Sequence, residues 1–312
     1  MTKPLSDVEL PARVRQWAID SVGRAASVVS TRQLHGGMST TIHSVALRVD
    51  GTVRHVVVRQ FDNEAWLLEE PDLALHEAES LRRAARTGLR TPQLIALDET
   101  GGSCGLPVVM MSRLEGSVVL RPSEMDRWLR GLAATLAQLH AAAADDFPWD
   151  YFTYTDPFSL QIPAWSSCPQ QWSDAIRIVQ GPRPAFEPRF IHRDYHPGNV
   201  LWEQDAVSGV VDWVNACRGP AGIDIGHCRV NLAQLYGVEE ADAFLSAYIE
   251  FAGPSFRYAP YWDLLSLVDI LSDSPAVYEG WTALGMTGLT DKLMEERLDA
   301  YLLSLMRRTS EA

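Results

Sequence analysis

The residues best suited to chemistry fall in Phe190-Ile191-His192-Arg193-Asp194-Tyr195-His196-Pro197-Gly198-Asn199-Val200-Leu201-Trp202 and in Val210-Val211-Asp212-Trp213. Asp194 and Asn199 stand five residues apart, and Asp212 follows thirteen residues after Asn199. A carboxylate held in a loop can orient or deprotonate an attacking hydroxyl. Two further hard oxygen donors can hold Mg²⁺ against phosphate groups. Asp194 suits the first task, and Asn199 and Asp212 suit the second. Apolar residues after Asn199 and before Asp212 predict a short hairpin, which would fix the metal ligands relative to the base. The same stretch permits a rival chemistry. His192, Asp194, His196, Asp212 and His227 are all possible transition-metal ligands of a hydrolase. Asn199 has no task in that reading.

The H-R-D-x-x-x-x-N pattern followed by an apolar strand and Asp212-Trp213 resembles the catalytic loop and metal site of the aminoglycoside phosphotransferase and choline kinase-like family, relatives of protein kinases. The family has a further Asp after a Gly/Pro loop, and Arg218-Gly219-Pro220-Ala221-Gly222-Ile223-Asp224 fits it. The resemblance spans about residues 26–235. It implies a two-lobed protein-kinase-like α+β fold, with a β-rich nucleotide-binding lobe over residues 1–115 and a mainly helical lobe over 116–312. His192 would brace the loop, and Asp224 would cap a helix and support the loop. Tyr195 and His196 would either touch the acceptor or pack.

The N-terminal third carries the matching nucleotide parts. Leu34-His35-Gly36-Gly37-Met38-Ser39-Thr40-Thr41 resembles the family's phosphate loop, with Thr40 where Asn is usual. Gly36 and Gly37 would let the backbone approach phosphate, and Ser39 and Thr40 would donate hydroxyls. The chain has only two lysines, Lys3 and Lys292, so Arg59 stands where protein kinases place Lys. A guanidinium can grip phosphate as a fork. Its partner on the next helix would be Glu77 by the family pattern, whereas Glu79 points elsewhere. The strand and hinge that receive the purine would include Ser112 and Leu114, through their backbones.

The resemblance implies transfer of the γ-phosphoryl of ATP or GTP, with Mg²⁺, to a small-molecule hydroxyl. An aminoglycoside-type antibiotic is the expected acceptor. A macrolide or a metabolite alcohol such as choline, ethanolamine or homoserine is the alternative. Only eleven residues separate Asp212 from Asp224, with no A-P-E motif, so no long activation segment exists to dock a peptide. A pseudokinase would sit poorly with intact Asp194, Asn199 and Asp212. The segment Asp145–Phe158 interleaves carboxylates with aromatic rings and reads either as a loop whose rings pack on the helical lobe or as a cage for a cationic acceptor, with Asp150 and Asp156 as its acids. Asp269 and Asp273, one helical turn apart, are further acceptor candidates.

The elements that must position these groups read as follows. A helix is expected over 7–25, then strands at Ala26–Leu34, Thr41–Val49 and Val53–Phe61, the last two joined at Asp50-Gly51. A helix over Leu73–Thr87 and strands at Gln93–Leu97 and Pro107–Met111 complete the first lobe. A long helix over Ser123–Ala143 opens the second. Residues 145–189 read as irregular, a small hairpin turns at Gln204–Ala206, and four or five helices follow Ile223. The net charge of −13 opposes non-specific nucleic-acid binding and is compatible with a cationic acceptor. No apolar run approaches the roughly 20 residues of a membrane span. The first ten residues lack an apolar core, so no signal peptide is expected and the cytoplasm is the default location. Four widely spaced cysteines without a CxxC pair predict buried thiols rather than a zinc ribbon.

Overall fold

The structure, a computed structural model, describes residues 9–23, 25–34, 40–144, 146–272 and 274–311. Residues up to 86 together with 90–114 form one unit, and residues 87–89 with 115 onward form a second.

The first unit contains α1 (Ala12–Val22), β1 (Ser27–Leu34), β2 (Thr41–Val49), β3 (Thr52–Gln60), α2 (Glu64–Glu69), α3 (Leu73–Ala84), β4 (Leu94–Asp98) and β5 (Val108–Ser112). Its strands form an antiparallel sheet in the order β1-β2-β3-β5-β4. Asp50 (φ 50°) and Gly51 (φ 81°) close the β2–β3 hairpin with Val49 opposite Thr52, as the dipeptide predicts. Alternate strand residues Val45, Leu47, Val56 and Val58 join Val14 and Ala18 of α1 in one core. On α3 the buried positions Ala74, Glu77, Ala78 and Leu81 follow the three-and-four spacing of one helix face. That face carries Glu77 inward. The short α2, absent from the sequence reading, starts where Asn63 accepts a hydrogen bond from the Trp66 N–H.

The second unit begins with β6 (Ser117–Val118) and α4 (Met125–His140), which buries Trp128, Leu132, Leu136 and Leu139. Then comes α5 (Pro169–Val179), inside the stretch expected to be irregular. Pro169 sits at its first turn, and Trp172, Ala175, Ile176 and Val179 form a buried stripe. The Pro- and Trp-rich surroundings concealed that period. There follow β7 (Pro188–Ile191), a 3₁₀ turn at Pro197–Asn199, β8 (Val200–Glu203), β9 (Ala206–Val210) and β10 (Cys217–Pro220). β7 pairs with β10, and β6-β8-β9 form a three-stranded sheet. The β8–β9 loop is Gln204-Asp205, both at positive φ. The helices α6 (Ala221–Leu235), α7 (Val238–Ala252), α8 (Pro260–Val268), α9 (Glu279–Ala283) and α10 (Asp291–Glu311) complete the unit. The four cysteines are free and buried. Among the described residues, no helix is long and apolar enough to cross a membrane.

Candidate active site

β7 delivers the 192–194 loop, β8 starts just after Asn199, β9 ends two residues before Asp212, and β10 leads into α6. Arg193 (φ 67°) and Asp212 (φ 68°) lie in the left-handed region, which disfavours residues with a Cβ. Hydrogen bonds hold the loop there. Asp224 Oδ2 accepts from the His192 N–H at 2.7 Å, and its Oδ1 accepts from the Arg193 N–H at 2.6 Å. His140 Nε2 reaches the same carboxylate at 3.0 Å, and its Nδ1 meets the Tyr248 hydroxyl at 2.8 Å. Asp224 therefore braces the loop, but it is not a helix cap. It is the fourth residue of α6, whose cap position is Pro220. His192 Nε2 donates to the Val211 carbonyl at 2.9 Å, and its ring packs 4.6 Å from Trp213.

Asp194 is gripped through both carboxylate oxygens. His227 Nε2 lies 3.0 Å from Oδ1, and Asn199 Nδ2 donates to Oδ2 at 3.1 Å and to the Asp194 carbonyl at 2.9 Å. Burial pushes the carboxyl up, but the neighbouring His196, the hydrogen bond and charge of His227, and His192 outweigh it and hold Asp194 well below the usual carboxylate range. Asn199 spends its N–H groups on Asp194, so its amide offers an oxygen to a cation. The Val211 N–H donates to the Asn199 carbonyl at 2.9 Å, which ties the residue before Asp212 to this point. Asn199 and Asp212 together offer hard oxygens, the donor type Mg²⁺ takes.

The rival metal trio, Asp194, His196 and His227, has ligand atoms within 4.8 Å of one another. One hydrogen bond opposes it. The Gly198 N–H donates to His196 Nδ1 at 3.1 Å, so the ring's proton belongs on Nε2. That nitrogen then carries a hydrogen and offers no lone pair to a metal. Burial lowers His196 to a pKa of about 4, which agrees with a neutral ring.

Other candidates fall differently. Tyr195 is fully buried and its hydroxyl donates to the Leu132 carbonyl, so it packs rather than meeting an acceptor. The aromatic segment does not leave an open cage. Tyr151, Phe152 and Tyr154 ring the Arg193 guanidinium at 5.5, 4.2 and 4.0 Å, and Arg193 donates to the Phe152 carbonyl. Asp150 forks with Arg218, and Asp156 accepts from the Phe158 N–H in a turn. Both acids are thus engaged in shaping the segment. Asp269 opens a 3₁₀ turn, and burial raises its carboxyl to a pKa of about 6. Asp145 and Asp273 lie outside the described residues.

In the first unit, Arg59 and Glu77 are both buried and form an ion pair at 2.7 Å. Arg59 is set by its place in β3, opposite Ile42 and Val109. Glu79 instead pairs with Arg82 on the surface. Gly36, Gly37 and Ser39 lie outside the described residues, and Thr40 is half-buried just before β2. Ser112 ends β5 and exchanges hydrogen bonds with Gln93, with Leu114 two residues beyond.

Two contacts escaped the sequence reading. His227 entered it only as a possible metal ligand, although a D-x-x-H spacing from Asp224 places it one helical turn along α6. His140, at the end of α4, carries no local signal, because its partner is 84 residues away.

The chain resembles known proteins both in sequence and in fold. The model of the phosphotransferase enzyme family matches residues 32–262, and the chain belongs to that family. Among curated relatives, the homoserine kinase of Methylocella silvestris is 31% identical over 167 residues, 47% of this chain and 50% of that protein. The homoserine kinase of Rhodopseudomonas palustris strain CGA009 is 26% identical over 189 residues, 53% and 55% of the two chains. The chain thus spans about half the length of the curated relatives it matches. Among solved structures, a thermostable mutant of aminoglycoside phosphotransferase APH(4)-Ia in complex with AMP-PNP and hygromycin B aligns with a TM-score of 0.61 and 18% identity, covering 94% of this chain and 99% of that one. Macrolide 2'-phosphotransferase MphH from Brachybacterium faecium aligns with a TM-score of 0.57 and 18% identity, covering 92% and 98%. The fold is protein-kinase-like.

Proposed function

We propose that this chain is a small-molecule kinase that moves the γ-phosphoryl of ATP or GTP to an alcohol. The observation that carries the reading is the Asp194 carboxylate, kept ionised and fixed on both oxygens, with Asn199 and Asp212 tied to the same loop. In the reaction the acceptor oxygen bonds to the γ-phosphorus while the bond from that phosphorus to the β–γ bridging oxygen breaks. The acceptor's proton passes to an Asp194 oxygen, and the nucleoside diphosphate leaves. Asn199 and Asp212 would hold Mg²⁺, which supplies charge neutralisation for the phosphates. Arg59, backed by Glu77, would bind phosphate oxygens, with the Gly36–Thr40 loop and the Ser112 and Leu114 backbones serving the nucleotide.

For the acceptor we infer a small metabolite hydroxyl of the homoserine kind. Two points support this: the relatives near 30% identity are homoserine kinases, and Asp150 and Asp156 are engaged within their own segment. His196 and Asp269 are the side chains we assign to the acceptor side. An aminoglycoside is the second reading, supported by the likeness to a hygromycin-bound neighbour.

The test is transfer of labelled γ-phosphoryl from Mg-ATP and Mg-GTP to homoserine, choline, ethanolamine, several aminoglycosides and a macrolide, by wild type and by Asp212→Ala. Transfer to at least one acceptor that vanishes in Asp212→Ala supports the reading. No transfer to any acceptor, with stoichiometric zinc that Asp212→Ala removes, would establish the hydrolase instead.

A further inference from the structure

We propose that His227 is a positioning residue for phosphoryl transfer, its imidazole holding the Asp194 carboxylate in the orientation that faces the acceptor hydroxyl. The inference rests on Asp194 being the base.

The helix α6 meets the catalytic loop twice. Asp224, in its first turn, accepts the N–H groups of His192 and Arg193 and so fixes the loop's backbone. His227 comes three residues later, on the same side of the helix. Its Nε2 lies 3.0 Å from Asp194 Oδ1 and fixes the side chain of the base. Asn199, at the mouth of the β8–β9 hairpin, holds the other oxygen at 3.1 Å. A carboxylate pinned on both oxygens by donors from two different elements cannot rotate, yet each oxygen keeps a lone pair for the incoming hydroxyl. Both side chains are 32% exposed, so the pair faces accessible space rather than the core.

His196 cannot take this task. Its Nε2 is 3.8 Å from Asp194 Oδ1, beyond a hydrogen bond, and its Nδ1 is occupied by the Gly198 N–H. The two rings stand 5.7 Å apart at an angle of 61°, so they approach the carboxylate from different directions. The groups around His227 favour a proton on it. Burial opposes the charged ring, but Asp194, Asp224 and Asp269 more than offset that and raise its pKa. At 3.0 Å from a carboxylate oxygen, Nε2 must carry the hydrogen, so His227 donates to Asp194 and directs it.

The experiment compares full-length wild type, His227→Ala and His227→Gln with the best acceptor from the panel. Both steady-state constants for each substrate and the Tm are measured. His227→Ala should lose on the order of 10²-fold in kcat, as expected for a misplaced reacting group, with an unchanged nucleotide KM. His227→Gln, whose amide can still donate to Asp194, should recover most of that loss. The Tm values should stay close to wild type, because the ring is partly exposed. Wild-type turnover in His227→Ala overturns the inference and leaves the kinase reading intact. So does a kcat in His227→Gln as low as in His227→Ala, or a loss that tracks Tm and affects nucleotide KM equally. Absence of turnover in wild type itself removes the base assignment, and this inference with it.

Discussion

Two carboxylates of the second unit are driven in opposite directions. Asp194 is pulled down by the histidines around it, whereas burial lifts Asp269 to about 6 against the opposing influence of Thr155, His227, Arg193 and Arg183. The divergence reflects their surroundings, histidine neighbours for one and burial for the other. For Asp269 it also has a stability consequence. A carboxyl whose folded pKa exceeds its ordinary value of 3.8 favours the native state while protonated. That contribution is complete below the ordinary value and is lost as pH rises through about 6. Asp269→Asn stays neutral and keeps it. The variant should therefore melt higher than wild type above the raised pKa, with the gap closing as pH falls towards the ordinary one. Parallel thermal melts across that window check this, and a gap that grows on acidification would contradict it.

At the scale of elements, α6 is the organiser of the site. It packs against α7, α8 and α10 while presenting Asp224 and His227 to the loop. Its approach to α8 depends on two glycines four residues apart. A Cβ on Gly222 would fall 2.4 Å from Trp262 Cδ1, and one on Gly226 would fall 2.5 Å from Ser266 Oγ and 2.8 Å from the Trp262 carbonyl. The latter contact is backbone and cannot swing aside. Gly226→Ala should cost about 1–3 kcal/mol by overpacking, read as a lower urea midpoint with unchanged slope. No loss would show that α6 and α8 have room to separate.

The same helix shows what was legible in the sequence. Asp224 and its supporting role could be read from a motif, because motif residues sit at fixed offsets in one chain segment. The β2–β3 hairpin was legible because Asp50-Gly51 is a local turn signal. The pairing of β7 with β10, the helix α5 and the His140 contact were not. The first and last join residues distant in the chain, and the second is masked by prolines and tryptophans around it. Arg229 was likewise invisible. It is fully buried, paired with Asp263 at 2.6 Å and Asp242 at 2.5 Å, and its neutralisation depends on three helices converging. Composition leaves two readings of the aromatic segment open, a cage or a packed loop. Rings near carboxylates suit a cation, but Arg193 of the chain itself fills that place.

For the whole molecule, the assigned residues lie in both units: Arg59 and Glu77 in the first, and Asp194, Asn199, Asp212 and His227 in the second. The net charge of −13 is compatible with an acceptor bearing an ammonium group, and under the proposed function the anionic nucleotide would depend on local donors such as Arg59. The account's central claim is that Asp194 serves the acceptor hydroxyl and not the nucleotide or the fold. The most direct test is labelled phosphoryl transfer by Asp194→Asn beside wild type, with nucleotide affinity measured calorimetrically on the same samples. The account predicts a loss of roughly 10²–10⁴ in kcat with nucleotide Kd and Tm retained. Wild-type-like kcat in Asp194→Asn would contradict it.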